Sequence, residues 1–128
     1  MKITPVLVVE RIEDCLPFWT RNLGFQKIMD VPHGNVIGFC MLMRDDVEVM
    51  MQTRGSVEDD LKTAAGPGRG SASLYIEVDD FHDIRRRLEG AKVVVPERVA
   101  FYGMREIGIE EPGGHMLVFA AREPATAA

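Results

Sequence analysis

Two stretches of this chain share one plan, and that duplication limits the available folds more than any other feature. From Ser73 to Val78 the chain alternates, with Leu74, Ile76 and Val78 on one face and Ser73, Tyr75 and Glu77 on the other, the pattern of a half-buried strand. Asp79 or Asp80 then caps a helix that runs to Glu89 and closes at Gly90. Strands over 93–95, 104–110 and 115–121 follow. The first half repeats this order. Residues 3–9 form an apolar strand. Glu13 and Asp14 open a helix over about 13–22, with Pro17 expected in its first turn and Leu16, Trp19 and Leu23 at helical spacing before Gly24. Strands over 25–31, 36–43 and 47–52 are separated by the turn residues Pro32-His33-Gly34-Asn35 and by the hairpin Asp45-Asp46. Thr4 falls on Ser73 and Val9 on Val78, each 69 residues on, and the helix-ending Gly24 and Gly90 are 66 apart. A β-α-β-β-β unit used twice accounts for both halves.

The apolar period fails between Thr53 and Ser71, where Gly66-Pro67-Gly68-Arg69-Gly70 marks a flexible connection. Residues 1–128 therefore read as a single domain, with one module over about 3–53, a linker over about 54–71, a second module over about 72–121, and a frayed tail after Arg122. At 128 residues and 46% hydrophobic content the chain can bury a core without staples. A net charge of −5 without a block of like charges argues against a nucleic-acid partner or a basic membrane-binding face. No apolar run reaches the roughly 18–20 residues that span a bilayer, and the opening strand lacks the build of a signal peptide. Cys15 and Cys40 sit in apolar surroundings without CxxC spacing, so buried thiols in a reducing, cytoplasmic setting are expected.

The residues carry more than the pattern. Val9 to Phe25, with its acidic helix start, Phe18-Trp19 and Leu23-Gly24-Phe25, resembles the first module of the vicinal oxygen chelate superfamily of glyoxalases, bleomycin-resistance proteins and extradiol dioxygenases. Glu77-Val78-Asp79-Asp80, Tyr102-Gly103-Met104-Arg105-Glu106 and Glu111-Pro112-Gly113-Gly114-His115 resemble its second module, with Glu111 where relatives usually carry Asp. The similarity covers roughly residues 3–121. It implies an α+β fold of two βαβββ modules whose sheets form an open cup with helices outside, and a homodimer.

Enzymes of that superfamily hold a divalent metal through His, Gln or Glu at four inward positions, where it acts as a Lewis acid on vicinal substrate oxygens. Carried over by resemblance, those positions fall here on Thr4, Ser73, Val118 and either Glu48 or Met50, so no metal and no other cofactor is expected. His33, in a turn, His82, on a helix, and His115, at the start of the last strand, supply no pair at ligand spacing and read as structural. Parity leaves Met116, Val118 and Ala120 facing inward and places Glu48, Met50 and Gln52 together on the inner face of their strand.

The expected ligand-contacting set is Trp19, Phe39, Met41, Met50, Tyr75, Phe101, Met104, Met116 and Val118, with Trp19 and Phe101 near the rims. Methionine-rich surfaces adapt to several ligand shapes. Glu48, Glu77 and Glu106 add acceptors that favour cationic or hydrogen-bond-donating ligands, and Arg105 belongs to an outer-face ion pair. The resulting expectation is a cytoplasmic, homodimeric protein that binds a small, partly aromatic molecule without metal, as in antibiotic sequestration of the bleomycin-resistance type. Two alternatives stand beside it. One is a metal-dependent lyase, isomerase or dioxygenase whose ligands include Glu48, or His115 with Glu106. The other is a metal-free enzyme with Glu48 or Glu106 as a general base, marked by a carboxylate titrating above its ordinary value.

Overall fold

A computed structural model describes residues 2–61 and 72–124, apart from the Leu61 side chain. The chain runs β1 (Val6–Val9), α1 (Ile12–Pro17), β2 (Gln26–His33), β3 (Val36–Arg44), β4 (Val47–Thr53), α2 (Arg54–Leu61), β5 (Leu74–Glu77), α3 (Phe81–Arg87), β6 (Lys92–Val99), β7 (Met104–Glu110) and β8 (Met116–Arg122). The strands form two open four-stranded mixed sheets, in the orders β1-β4-β3-β2 and β5-β8-β7-β6. In each, the first strand lies parallel to the fourth and the other pairs are antiparallel. These are the two βαβββ units of an α+β fold. One compact unit holds the described residues up to 61 with Pro112–Gly114, and the other holds the remainder.

In unit 1, Leu7, Val9, Cys40, Leu42, Val49 and Met51 bury one face of the sheet, and α1 packs on β3 and β4 with Ile12 and Cys15 turned inward. Pro17 departs from expectation. It lies at the end of α1 rather than in its first turn, where a missing N–H breaks the i→i−4 ladder. The chain answers by widening into a π-helical turn over Phe18–Asn22, with Leu23 N–H donating to Phe18 O at 3.1 Å. That turn carries Trp19 into the core rather than to a rim. Its indole is fully buried, edge-on to Phe18 at 6.0 Å and to Phe25 at 5.3 Å.

Three further expectations are corrected. The segment expected to be a flexible linker begins as a helix, because Thr53 Oγ1 accepts the Ser56 N–H at 3.2 Å and so caps α2. Arg54 pairs with Glu10 at 2.9 Å, while the glycine-rich stretch 66–70 lies outside the described residues. The first strand begins at Val6, leaving Ile3 exposed and Thr4 ahead of the strand. Conversely, β6 does not stop at Val95; it continues through Pro96 to Val99 with two register shifts. Proline is tolerated there because β6 is an edge strand.

In unit 2, Ile107, Ile109, Leu117 and Phe119 bury one face of the sheet, and α3 packs on β8 with Ile84 inward. Asp80 Oδ1 accepts the Asp83 N–H at 3.0 Å and caps α3. Gly108 sits so close to Val95 of β6 that an added Cβ would lie 2.8 Å from its side chain. No helix among the described residues is long and apolar enough to cross a membrane.

Candidate functional site

The helix-covered face of each sheet is largely filled by packed side chains, so the broad accessible surface lies on the other face. In unit 1 that face carries Val6 and Val8 from β1, Phe39, Met41 and Met43 from β3, and Glu48, Met50 and Gln52 from β4, all half-buried or exposed. Register places Met29, Met41 and Met50 opposite one another across three strands, with Val6 beside Met50. Three thioethers thus stand in one row, flexible and apolar. Glu48 is engaged at the row's edge by Lys2 Nζ at 2.5 Å.

In unit 2 the corresponding face carries Tyr75 and Glu77 from β5, Met116, Val118 and Ala120 from β8, and Met104, Glu106 and Gly108 from β7. Its centre is Glu106, only 1% exposed. Tyr75 donates its hydroxyl to Glu106 Oε2 at 2.5 Å, and Tyr102 donates to the same oxygen. Arg98 closes on Oε1 with Nε at 3.1 Å and Nη2 at 3.0 Å. Every lone-pair direction of the carboxylate in reach of this cluster is taken by its own chain.

Electrostatics follow from that arrangement. Burial pushes the Glu106 carboxyl up, but hydrogen bonds from Tyr102, Tyr75 and Arg98, with the Arg98 charge, hold it below the ordinary glutamate value. The hydrogen bond to Glu106 pushes the Tyr75 hydroxyl well above its ordinary value, and Tyr102 rises for the same reason. Both phenols therefore stay protonated and donate inward. The expected mark of a general base was a carboxylate titrating high; Glu106 departs in the opposite direction.

The candidate residues divide accordingly. Tyr75, Met104, Met116 and Val118 share the unit 2 face with Glu106, and Phe101 stands fully exposed in the β6–β7 turn, edge-on to Tyr102 at 5.0 Å. Phe39, Met41 and Met50 share the unit 1 face. Trp19 leaves the set because it is sealed in the core on the helix side. His115 and Glu106 do not come together. His115 Nδ1 lies 2.5 Å from Glu111 Oε1, which also accepts the His115 N–H at 3.1 Å, so this pair braces the β7–β8 hairpin. His33 is bonded to Asp59 at 2.6 Å. Arg105 turns to the opposite face, forked onto Glu123 at 2.8 Å and bonded to Glu97 at 2.8 Å. Those ion pairs line a cavity of about 560 Å³ beside α3.

Tyr102, Arg98 and Glu111 were not singled out by the sequence. Tyr102 precedes Glu106 by four residues, a spacing a turn can close. Arg98 is hidden when β6 is ended at Val95, and Glu111 enters only as the residue standing where relatives usually carry Asp.

Register also decides which residue corresponds to Val118. Val6 pairs with Met50 and Tyr75 pairs with Val118; since Tyr75 is 69 residues beyond Val6, Met50 is the counterpart. The positions carried over by resemblance are then Thr4 and Met50 in unit 1 and Ser73 and Val118 in unit 2, none of which offers an imidazole or a carboxylate. Among the described residues no three of His, Cys, Asp or Glu are grouped to hold a metal.

The model of the Glyoxalase/Bleomycin resistance protein/Dioxygenase superfamily matches residues 3–119. Among solved structures, a glyoxalase/bleomycin resistance protein/dioxygenase from Nocardioides is 17% identical, with 100% of this chain and 89% of that chain covered and a TM-score of 0.74. A glyoxalase-related enzyme from Fulvimarina pelagi is 16% identical, with 95% and 88% covered and a TM-score of 0.79. The bleomycin-binding protein of Streptomyces verticillus, solved with copper(II)-bleomycin, is 20% identical, with 96% and 97% covered and a TM-score of 0.62. At these identities the likeness is one of fold. No curated protein matches the sequence.

Proposed function

The chain belongs to the Glyoxalase/Bleomycin resistance protein/Dioxygenase superfamily, and from that premise we propose that it binds a small, partly aromatic molecule without a metal and without transforming it. The observation that carries this reading is Glu106. A buried carboxylate already accepting from Tyr75, Tyr102 and Arg98 is a brace for two aromatic rings, with no lone pair offered to a cation or a substrate proton. The groups left facing outward are mostly rings, thioethers and aliphatic side chains, with Glu48, Gln52 and Glu77 among them.

The energetics limit the ligand. Covering roughly 200 Å² of apolar surface contributes about 5 kcal/mol, which the loss of translational and rotational freedom, about 4 kcal/mol or more, nearly cancels. A lone ring would bind weakly; a ligand of several linked or fused rings, of the bleomycin type, would be held. Sequestration of an antibiotic is one use of such binding. The chain acts as a homodimer, since the edge strands β2 and β6 expose Ile28, Met29, Val31, Val93 and Val94, which a second copy would cover.

The test is calorimetry of metal-free bleomycin and of smaller aromatic probes against untagged, EDTA-treated protein. Binding that persists in EDTA and weakens in Tyr75→Ala and Met50→Ala is expected. Binding or turnover that appears only after Zn, Mn, Ni or Fe is restored would overturn the proposal in favour of the metal-dependent enzyme.

A further inference from the structure

The unit 2 face is chemically one-sided in a way that names the ligand class more narrowly. Tyr75 and Tyr102 spend both hydroxyl protons on Glu106, so what they present outward is ring and oxygen lone pair: acceptors, not donors. A phenol that donates to a carboxylate is polarised toward its ring, and the ring face becomes a better partner for positive charge. Tyr75 is 48% exposed and Tyr102 44%, and Phe101 adds a third, fully exposed ring beside Tyr102.

A second, independent feature has the same sign. Register sets Glu77, Ala120, Glu106 and Arg98 in one row across β5, β8, β7 and β6. Arg98 is matched by Glu106. Glu77 is exposed, two residues along β5 from Tyr75 on the same face, and the interactions found among the described residues include none for it. Within this row Glu77 thus adds a negative charge on the Tyr75 side, beyond the matched Arg98–Glu106 pair. Ala120 is small, which lets the Tyr75 ring lie over β8 to reach Glu106.

We propose that Tyr75, Tyr102 and Phe101, with Glu77 on the Tyr75 side, receive the cationic head of the ligand, an alkylated or quaternary ammonium group. This rests on the reading of the face as a ligand surface. An alkylated ammonium suits it better than a primary amine, because the carboxylate that would accept several N–H bonds, Glu106, is saturated, while rings and one outlying charge attract a diffuse cation. An anionic ligand would meet Arg98, whose guanidinium is bonded to Glu106, and Arg122, whose guanidinium donates to the Tyr102 carbonyl.

Three probes titrated into the full chain, with aromatic and methyl resonances followed by NMR, separate the possibilities: choline, its neutral isostere 3,3-dimethylbutan-1-ol, and acetate. Choline is expected to shift the Tyr75, Tyr102 and Phe101 ring signals and to bind about fivefold more tightly than the isostere. Glu77→Gln, a change at an exposed side chain that keeps the fold, is expected to reduce that preference, and Tyr75→Leu to abolish it. Equal binding of choline and the isostere at these rings would overturn the cation site while leaving the apolar-surface reading intact. Stronger binding of acetate would overturn it in favour of an anion site at Arg98. If no probe, charged or neutral, perturbs these rings, both the cation site and the ligand-surface reading of unit 2 fall.

Discussion

Replacing Glu106 by Gln tests the brace at the centre of unit 2 with almost no change in shape. The carboxylate accepts on both oxygens, two phenols on one and Arg98 on the other. Gln has one acceptor oxygen, and because a guanidinium cannot accept, that oxygen must stay with Arg98 and the amide nitrogen must face the phenols. A hydrogen bond to a charged acceptor is worth about 1.5–3 kcal/mol against about 0.5–1.5 for a neutral one. Reversing the phenol side and neutralising the group, less the relief of no longer burying a charge, leaves a net loss of about 1–2 kcal/mol. At this chain length that lowers Tm by about 4–8 °C.

The pH dependence supplies the refutation. Glu106 titrates below the ordinary value of 4.5 when folded, so its contribution is complete above that value and is lost as pH falls through the folded one. Guanidinium chloride melts of the two proteins at pH 7 are expected to be separated by the full gap, and melts near pH 3.5 by a smaller one. No gap at pH 7 would mean that the carboxylate is not paired as described. A gap of constant size at every pH would mean that the loss comes from packing rather than charge. Ultraviolet titration gives an independent readout, because Tyr75 ionises above its ordinary value only while Glu106 is an anion beside it.

Other outcomes follow from the same structure. Trp19→Ala removes a fully buried indole and is expected to cost about 3–5 kcal/mol, read by chemical denaturation. In the wild type, Trp19 fluorescence should remain blue-shifted and unmoved when an aromatic ligand binds, because the indole lies on the helix side of its sheet. Gly108→Ala places a methyl 2.8 Å from Val95 and is expected to destabilise by about 1–3 kcal/mol; Val95→Ala should recover most of that loss in a double-mutant cycle. Burial pushes the Cys40 thiol up to about 11, so a disulfide reagent at pH 8 should modify it far more slowly in the folded protein than in denaturant, and equal rates would contradict its burial.

Parity and spacing carried the strands well. Alternation in Leu74-Tyr75-Ile76-Glu77 and in Met116-Leu117-Val118-Phe119 assigned each residue to the face it occupies, because a pleated strand has only two sides. The helices were less legible. Pro17 was expected to open α1 and instead sits where the helix widens, and that single displacement moved Trp19 from a rim to the core. The segment after Thr53 looked like a linker because α2 is polar and short; its one clear signal was the capping threonine.

The amino-acid order alone was enough to specify a duplicated β-α-β-β-β unit and the face of nearly every strand residue, since these depend on local periodicity. Which groups meet was decided only by register and by strand length. Strand β6 had to pass Pro96 before Arg98 could stand opposite Glu106, and Tyr75 had to cross β8 to reach it. Pairing between strands is a long-range property, fixed when the sheet closes, and so the tyrosine–glutamate–arginine cluster came into view only with the tertiary structure.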